Sequence, residues 1–412
     1  MTVIGDVARV IDCEHRTAPR SDDEPFGYSV STREVRGGRI RLENAKPVSR
    51  RTYEEWTRRA VPMPGNLIFS REAPMGEIGA VPQEARVCLG QRTVLLQLDN
   101  DSVDSRFLKH SIMSPATQAW IQANSAGTTV LHLNVADVRQ VPVPWLPSIL
   151  EQRRIVDILE DHLSRLDAAE RDLRASERRL LTFQRAALDS LTEVAERRAP
   201  VGDLLARVEA GKSFGGAGRP STDDEWGIIK VSAMTWGEFR GLENKVVSDP
   251  SRIDERHAIR RGDVLLSRAN TSELVGASVV VREDPRRLLL SDKSLRLVPR
   301  DGVSGDYLAI VLGAPRARKQ MSELASGNQD SMRNISQAAL SRVVVPFASP
   351  SEQLAIVERA ADLGRHRDRL ARGVVEALTH AGALRRALLA AAFSGRLTAR
   401  TSDDEVEEIA NV

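Results

Sequence analysis

The sequence predicts an α+β fold written twice: two sheet-rich units, each followed by a long helix, with the two helices pairing as a coiled coil. Three observations predict it. Residues 148–158, SILEQRRIVDI, follow VPVPWLP, and residues 349–359, SPSEQLAIVER, follow VVVPFA, so the same kind of segment opens twice. From Ser148 to Ala199 the chain holds neither glycine nor proline, which allows a helix of roughly 75 Å. The stretches before these segments carry short apolar runs such as NLIFS, TVLLQL, DVLLSR and ASVVVRE between Gly, Pro, Asp and Asn, the pattern of strands and turns.

The elements recur in the same order in both copies. SDDEPFGYSVS at 21–31 answers TDDEWGIIKVS at 222–232. PGNLIFSREAPMGEIGA at 64–80 answers RGDVLLSRANTSELVGA at 261–277, which sets Ser70-Arg71 against Ser267-Arg268 and Gly79 against Gly276. GQRTVLLQL at 90–98 matches SDKSLRLVP at 291–299, Phe107-Leu108 matches Tyr307-Leu308, and AGTTVLHLNV at 126–135 matches SGNQDSMRNI at 326–335. The offset stays between 197 and 201 residues, so the chain is an internal duplication. The predicted boundaries are 1–147 and 200–348 for the sheet-rich units, 148–199 and 349–398 for the helices, and 399–412 for a mobile acidic tail.

Ser148 with Glu151, and Ser349 with Glu352, have the S-x-x-E spacing of a capping box, in which hydroxyl and carboxylate each satisfy a free backbone N–H of the first turn. Pro350 suits the first helical position, and Pro200 is the predicted stop of the first helix. Leu159, Leu166, Leu173, Leu180, Ala187 and Val194 recur every seven residues, with Val156, Leu163 and Leu191 beside them. Ile356, Leu363, Leu370, Ala377, Leu384 and Ala391 repeat the stripe. Such a stripe on a polar helix predicts coiled-coil pairing. Two paired helices in a duplicated chain permit an internal pseudo-two-fold axis. The alternative is that each helix lies on its own sheet-rich unit. Gly364, Gly373 and Gly382 weaken the second helix.

The chain's 412 residues have room for two or three domains. It shows no 18-residue apolar run and no secretory start, which predicts a cytoplasmic protein without a membrane partner. Cys13 and Cys88 lack companions for a disulfide framework or a zinc site, and no CxxC or HxxxH spacing occurs, so no metal site is expected. A formal charge of +2 means that any basic surface must come from uneven distribution. Only seven of the 59 basic residues are lysine. The arginine fork suits phosphate and guanine, although GC-rich codon usage gives the same excess.

Catalytic signatures are missing. AGKSFGGAG at 210–218 ends like a phosphate-binding loop, but Ala206 stands where its first glycine belongs and no apolar strand is read before it. The acidic clusters Asp22-Asp23-Glu24 and Asp223-Asp224-Glu225 sit in polar turns without a lysine or histidine partner nearby and read as solvated charge. Neither G-x-S-x-G nor an N-P-P-[FY] or D-P-P-[FY] methyltransferase string occurs. No catalytic residue and no cofactor is expected in this chain.

Two sheet-rich units, each followed by a long helix opening with E-Q-[RL]-x-I-V, closely resemble the specificity subunit of type I restriction-modification systems. The resemblance covers nearly the whole chain: Gly5-Asp6 and Gly202-Asp203, the G-[ND]-[LV]-[IL]-x-S-R runs, both E-Q helix starts and LLAAAFSGRLT at 388–398. Leu354 departs from it, since the family often has a basic residue there. The resemblance implies two target recognition domains that read the two halves of an interrupted double-stranded DNA site. It implies long helices that pair as an antiparallel spacer and dock two adenine methyltransferase subunits, with restriction subunits joining them. S-adenosylmethionine, ATP and Mg would belong to those partners. Because the copies differ outside their framework strings, an asymmetric site is expected.

Base reading needs Arg, Lys, Asn, Gln, Ser or Thr on exposed loops, with other cations holding phosphate. The candidates are Arg33, Arg36 and Arg39 in the first copy, Lys230, Ser232, Thr235, Arg268, Asn270 and Lys293 in the second, and Thr128 and Thr129 against Asn328 and Gln329. Arg71 and Arg268 recur in both copies, which suits framework or phosphate better than base reading. For helix pairing the candidates are Leu159, Leu163, Leu166, Leu173, Leu180, Ile356, Leu363, Leu370 and Leu384. The rival function is a duplicated coiled-coil scaffold that binds protein. Salt separates the two, because DNA binding weakens steeply with ionic strength.

Overall fold

The computed structural model describes residues 2–21, 25–98, 102–127, 130–143, 148–213, 218–249, 251, 253–327 and 332–397. The chain divides into two compact units, Met1–Leu173 with Val375–Val412, and Arg174–Val374. This division falls inside both long helices, not at the predicted boundaries between sheet-rich units and helices, because each unit packs with segments of both.

In the first unit a four-stranded antiparallel sheet runs in the order Ala8–Asp12, Thr93–Leu98, Leu67–Ser70, Ile78–Ala80. Side chains alternate across a strand, and here both faces are covered. Leu67, Phe69, Val94 and Leu96 pack with Leu108, Ile112 and Ile121 of the helices Ser105–Met113 and Pro115–Ala123. Ile68 and Leu95 turn the other way, onto Val30, Val87 and Leu89. Burial on two sides explains why LIF and TVLL are continuous apolar runs. The second face is covered by a smaller sheet, Lys46–Val48, Gly27–Val30 and Val87–Leu89, antiparallel then parallel. Gly79 lets the chain pass close by: a Cβ there would sit 2.8 Å from the Arg39 carbonyl carbon.

The second unit repeats this strand for strand. Its main sheet runs Leu205–Ala210, Ser294–Pro299, Val264–Ser267, Ser278–Val280. Its small sheet runs Asn244–Val246, Gly227–Ile229, Leu288–Leu289, again antiparallel then parallel. Helices Gly305–Gly313 and Pro315–Leu324 cover the face carrying Val264, Leu266, Leu295 and Leu297.

The long helices span Ile149–Glu193 and Pro350–Phe393. The first stops short of the predicted Ala199. Tertiary pairing overrides the helical pattern there: Arg198–Pro200 joins Val344–Pro346 as a strand, and Ala195 is buried in the second unit's core. Val194 is correspondingly exposed rather than part of a heptad seam. The second helix runs unbroken through Gly364, Gly373 and Gly382, and ends where Gly395 takes a positive φ of 76° and Arg396 N–H returns to the Ala391 carbonyl. Residues 398–412, with the whole of the predicted tail, lie outside the described residues.

The pairing is antiparallel. Arg385 reaches Asp167 at 2.5 Å and Glu170 at 3.1 Å, while further along the first helix Gln184 accepts from Arg367 at 3.5 Å. In the first unit Ile155, Leu159 and Leu163 form one cluster with Leu388, Leu389 and Ala392, and Leu384 packs beside it. Leu166, Leu173, Leu180 and Leu363 are half-buried, and Ile356 is buried in the second unit's core. Leu370 is 56% exposed. The heptad marks an apolar stripe, but three glycines on the second helix leave too little side chain to cover its middle.

Candidate nucleic-acid interface

Each unit leaves its small sheet through one tight turn before the main sheet's central strand. In the first, the Thr93 hydroxyl donates to the Gly90 carbonyl at 2.8 Å; in the second, Ser294 does the same to Ser291 at 2.8 Å. The last turn residue then anchors a neighbouring strand end, since Arg71 N–H donates to the Arg92 carbonyl and Arg268 N–H to that of Lys293. A basic side chain therefore stands at the same structural position in both copies. Lys293 is exposed, and its side chain makes no hydrogen bond or ion pair among the described residues. Arg92 is 58% exposed and pairs with Glu72 at 2.8 Å.

In the first unit this turn opens on a polar cleft of about 400 Å³, lined by Ser31, Thr32, Arg33, Asn44, Gln91 and Arg92 among others. Arg33 and Arg39 are exposed without side-chain partners among the described residues. Arg36 is occupied, its Nη1 donating to the carbonyls of Val35 at 2.7 Å and of Thr32. Arg71 is framework: its guanidinium is 13% exposed, donates to the Leu133 carbonyl at 3.1 Å and lies 3.6 Å from Asp12.

In the second unit Arg268 takes the corresponding place more loosely, donating to Asn334 Oδ1 at 3.4 Å. Ser232 donates to Glu243 at 2.8 Å and Thr235 to the Ser232 carbonyl at 3.2 Å. Asn270 accepts from Thr271 N–H at 2.9 Å. These three side chains serve the fold, which leaves the half-buried Lys230 and the exposed Lys293 uncommitted. Thr128, Thr129, Asn328 and Gln329 lie outside the described residues.

Residues 34–175 match the type I restriction modification DNA specificity domain. The chain is 28% identical over 172 residues to the EcoEI specificity subunit of Escherichia coli, covering 41% of this chain and 29% of that protein. To the EcoKI specificity subunit of E. coli K12 it is 25% identical over 316 residues, covering 72% and 66%. These matches thus span less than two thirds of either relative's length. A solved chain described under complex assembly and conformational transition of the type I R-M system shares the fold over 96% of this chain and 97% of its own, with a TM-score of 0.68 at 18% identity. The HsdS subunit from Thermoanaerobacter tengcongensis does so over 96% of each chain, with a TM-score of 0.53 at 19% identity. These matches and the shared fold support a type I restriction-modification specificity subunit.

Two features of this chain escaped the sequence reading. Arg92 was not a candidate, although the 201-residue offset sets it opposite Lys293. The glutamines of the two E-Q motifs are buried clamps. Gln152 Oε1 accepts from Asp104 N–H at 3.0 Å and its amide donates to the Ser102 carbonyl at 3.0 Å. Gln353 Oε1 accepts from Ser304 N–H at 2.8 Å, and its amide donates to Gly302 at 3.0 Å and Ala348 at 2.9 Å. Asp104 and Ser304 are the N-caps of Ser105–Met113 and Gly305–Gly313, so each clamp ties a sheet-rich unit to its long helix. The neighbouring glutamates behave unequally. Ser349 and Glu352 form both halves of the capping box, whereas at Ser148 only the hydroxyl bond to Glu151 N–H is made. Nothing in the structure explains that difference.

A strand, Leu205–Ala210, does precede Gly211, against the sequence reading, but Ala206 still lacks the loop's first glycine and no helix follows until Val231–Met234 among the described residues. Glu225 is held by Arg219 at 2.5 Å. Asp12, Cys13 and His15 lie within reach of a shared ion, yet Asp12 already pairs with His15 at 2.7 Å and faces Arg71. Burial pushes the Cys88 thiol up to about 12. No helix among the described residues is long and apolar enough to cross a membrane.

Proposed function

We propose that this chain is the address-bearing, non-catalytic part of a restriction-modification complex: it binds a two-part, asymmetric double-stranded DNA site, one half per recognition unit. The observation that carries this reading is the repeated turn that presents Arg92 and Lys293 from the same position of two otherwise divergent units. A conserved frame with one cation in each copy suits phosphate contact, and loops that differ suit two different base sequences. Two modest readers on one chain act together through their effective concentration. The paired helices dock two adenine methyltransferase subunits, with restriction subunits joining them. S-adenosylmethionine, ATP and Mg are used by those partners and not by this chain, which works in the cytoplasm.

Co-expression with its methyltransferase, followed by mapping of methylated adenines along the host genome, tests the proposal. An interrupted, asymmetric motif that appears only with this chain supports it. A stable complex that leaves no methylation motif, and binds DNA without salt dependence, overturns it.

A further inference from the structure

The two copies solve one local problem in two ways, and the second solution leaves a charge unanswered. In the first unit Gln118, on the helix Pro115–Ala123, donates through its amide to the carbonyls of Gly76 at 3.0 Å and Ile112 at 2.8 Å. Two hydrogens meet two acceptors, and the group is neutral. In the second unit the corresponding residue is Arg318, whose Nη2 donates to the Glu273 carbonyl at 2.6 Å. That bond repeats the one to Gly76. Among the described residues the remaining guanidinium charge has no carboxylate within ion-pair distance, and Nη1 is buried without a hydrogen-bond partner. Gly276, with a φ of +80°, makes the room: a Cβ there would stand 2.9 Å from Nη1. Burial alone pulls the Arg318 guanidinium down to about 10, the signature of a cation held where nothing compensates it.

Arg318 lines a cavity of about 690 Å³ wholly within the second unit. Lys319 and Arg185 line it too, both exposed, together with the small polar residues Ser272, Thr235 and Ser322. Among the described residues Glu273 is the one carboxylate in the lining, and Lys319 has a loose 4.0 Å contact with Glu323. Three cations against one anion, around a space large enough for a tetrahedral oxyanion and its waters, define the ligand by charge and shape. We propose that this cavity is a phosphate-binding site, with Arg318 as its fixed donor and Lys319 and Arg185 closing on the outer oxygens. The first unit, where Gln118 is satisfied, has no counterpart of this charge.

The phosphate can come from the DNA backbone or from a free phosphate compound. The inference does not depend on the DNA reading, because inorganic phosphate alone tests it. The full chain is melted in matched ionic strengths of sodium phosphate and sodium chloride, as wild type and as Arg318→Gln. The first unit demonstrates that glutamine can hold the corresponding carbonyl. At ten times its dissociation constant, phosphate raises the wild-type midpoint by about 4 °C, and the variant loses that shift. Binding of a cognate DNA by the assembled complex then identifies the source. If the slope of log affinity against log salt falls by about 0.9 in Arg318→Gln, the phosphate is the backbone's. If the DNA slope is unchanged while the phosphate shift is lost, the ligand is a free phosphate compound. An Arg318→Gln chain that melts higher than wild type in both salts, with no phosphate-specific shift in wild type, overturns the proposal and leaves Arg318 as an unpaid charge.

Discussion

Gln353 offers a quantitative test of how each sheet-rich unit is fixed to its helix. It is 2% exposed and makes three hydrogen bonds, one accepted from Ser304 N–H and two donated to the Gly302 and Ala348 carbonyls. Gln353→Ala strands all three partners. A buried group without a partner costs about 1–3 kcal/mol, but the vacated space admits water that recovers part of it. We expect a loss of about 3 kcal/mol, and about 2 kcal/mol for Gln152→Ala, which removes two hydrogen bonds rather than three. For a unit of this size the larger figure lowers the melting midpoint by about 9 °C. Urea unfolding of the full chain gives the free energies, and amide exchange at Ser304 reports the local opening. Gln353→Glu provides the sign: it keeps an acceptor for Ser304 but aims a carboxylate at two carbonyls, so at pH 7 it should be worse than alanine. A Gln353→Ala loss below about 0.5 kcal/mol, or a larger loss at Gln152, would refute the clamp.

Arg92→Ala and Lys293→Ala should each weaken DNA binding by the assembled complex evenly across sequences and lower the salt slope by about 0.9; a changed methylation motif would instead make them base readers. Arg71→Ala should leave that slope alone and reduce stability by about 2 kcal/mol in urea unfolding, since it removes framework bonds. The Glu160 carboxyl is held down to about 2, chiefly by the hydrogen bond from His110 and with help from the Lys109 charge, and burial lowers His110 below its ordinary 6.5. The unfolded chain takes up both protons at higher pH, so this stability is present above those ordinary values and lost on acidification. Glu160→Gln should be less stable than wild type at pH 7, with the gap closing between pH 4.5 and about 2 in a urea midpoint series. Arg385→Met should cost about 1 kcal/mol and couple to Asp167→Asn in a double-mutant cycle, as a half-buried helix-to-helix pair does.

The duplication, the element types and the helix starts were legible because they rest on local pattern: strings repeated at one offset, turn residues between apolar runs, and Ser and Glu at capping distance. What was not legible rests on partners far away in the chain. Gln152 and Gln353 look like surface residues of polar helices, and only the loops packed over them make them buried clamps. Ser232, Thr235 and Arg36 have the chemistry of base readers, but the backbone and Glu243 use that chemistry first. The helix pattern reaches Ala199, while pairing of Arg198–Pro200 with Val344–Pro346 ends the helix at Glu193. Leu370 has the right spacing and still faces solvent, because a heptad names a stripe and not what covers it.

The same physics bears on how the first unit forms. Its helix face, Ile155, Leu159 and Leu163, is closed by Leu388, Leu389 and Ala392, and Phe107 meets Phe393 edge-on with ring centroids 5.1 Å apart. The segments that finish this unit are therefore separated along the chain by the whole of the second, Arg174–Val374, which is contiguous. Closing so long a loop costs entropy before its contacts repay it. Until residues near 390 arrive, the first unit holds an apolar helix face open to water. The Gln152 clamp and the contacts of Glu160 with Lys109 and His110 draw only on residues up to Glu160, so they can fix that helix in place before its apolar cover exists. During synthesis from the N-terminus, the residue numbers put the polar anchors in place to form before the apolar cover has emerged.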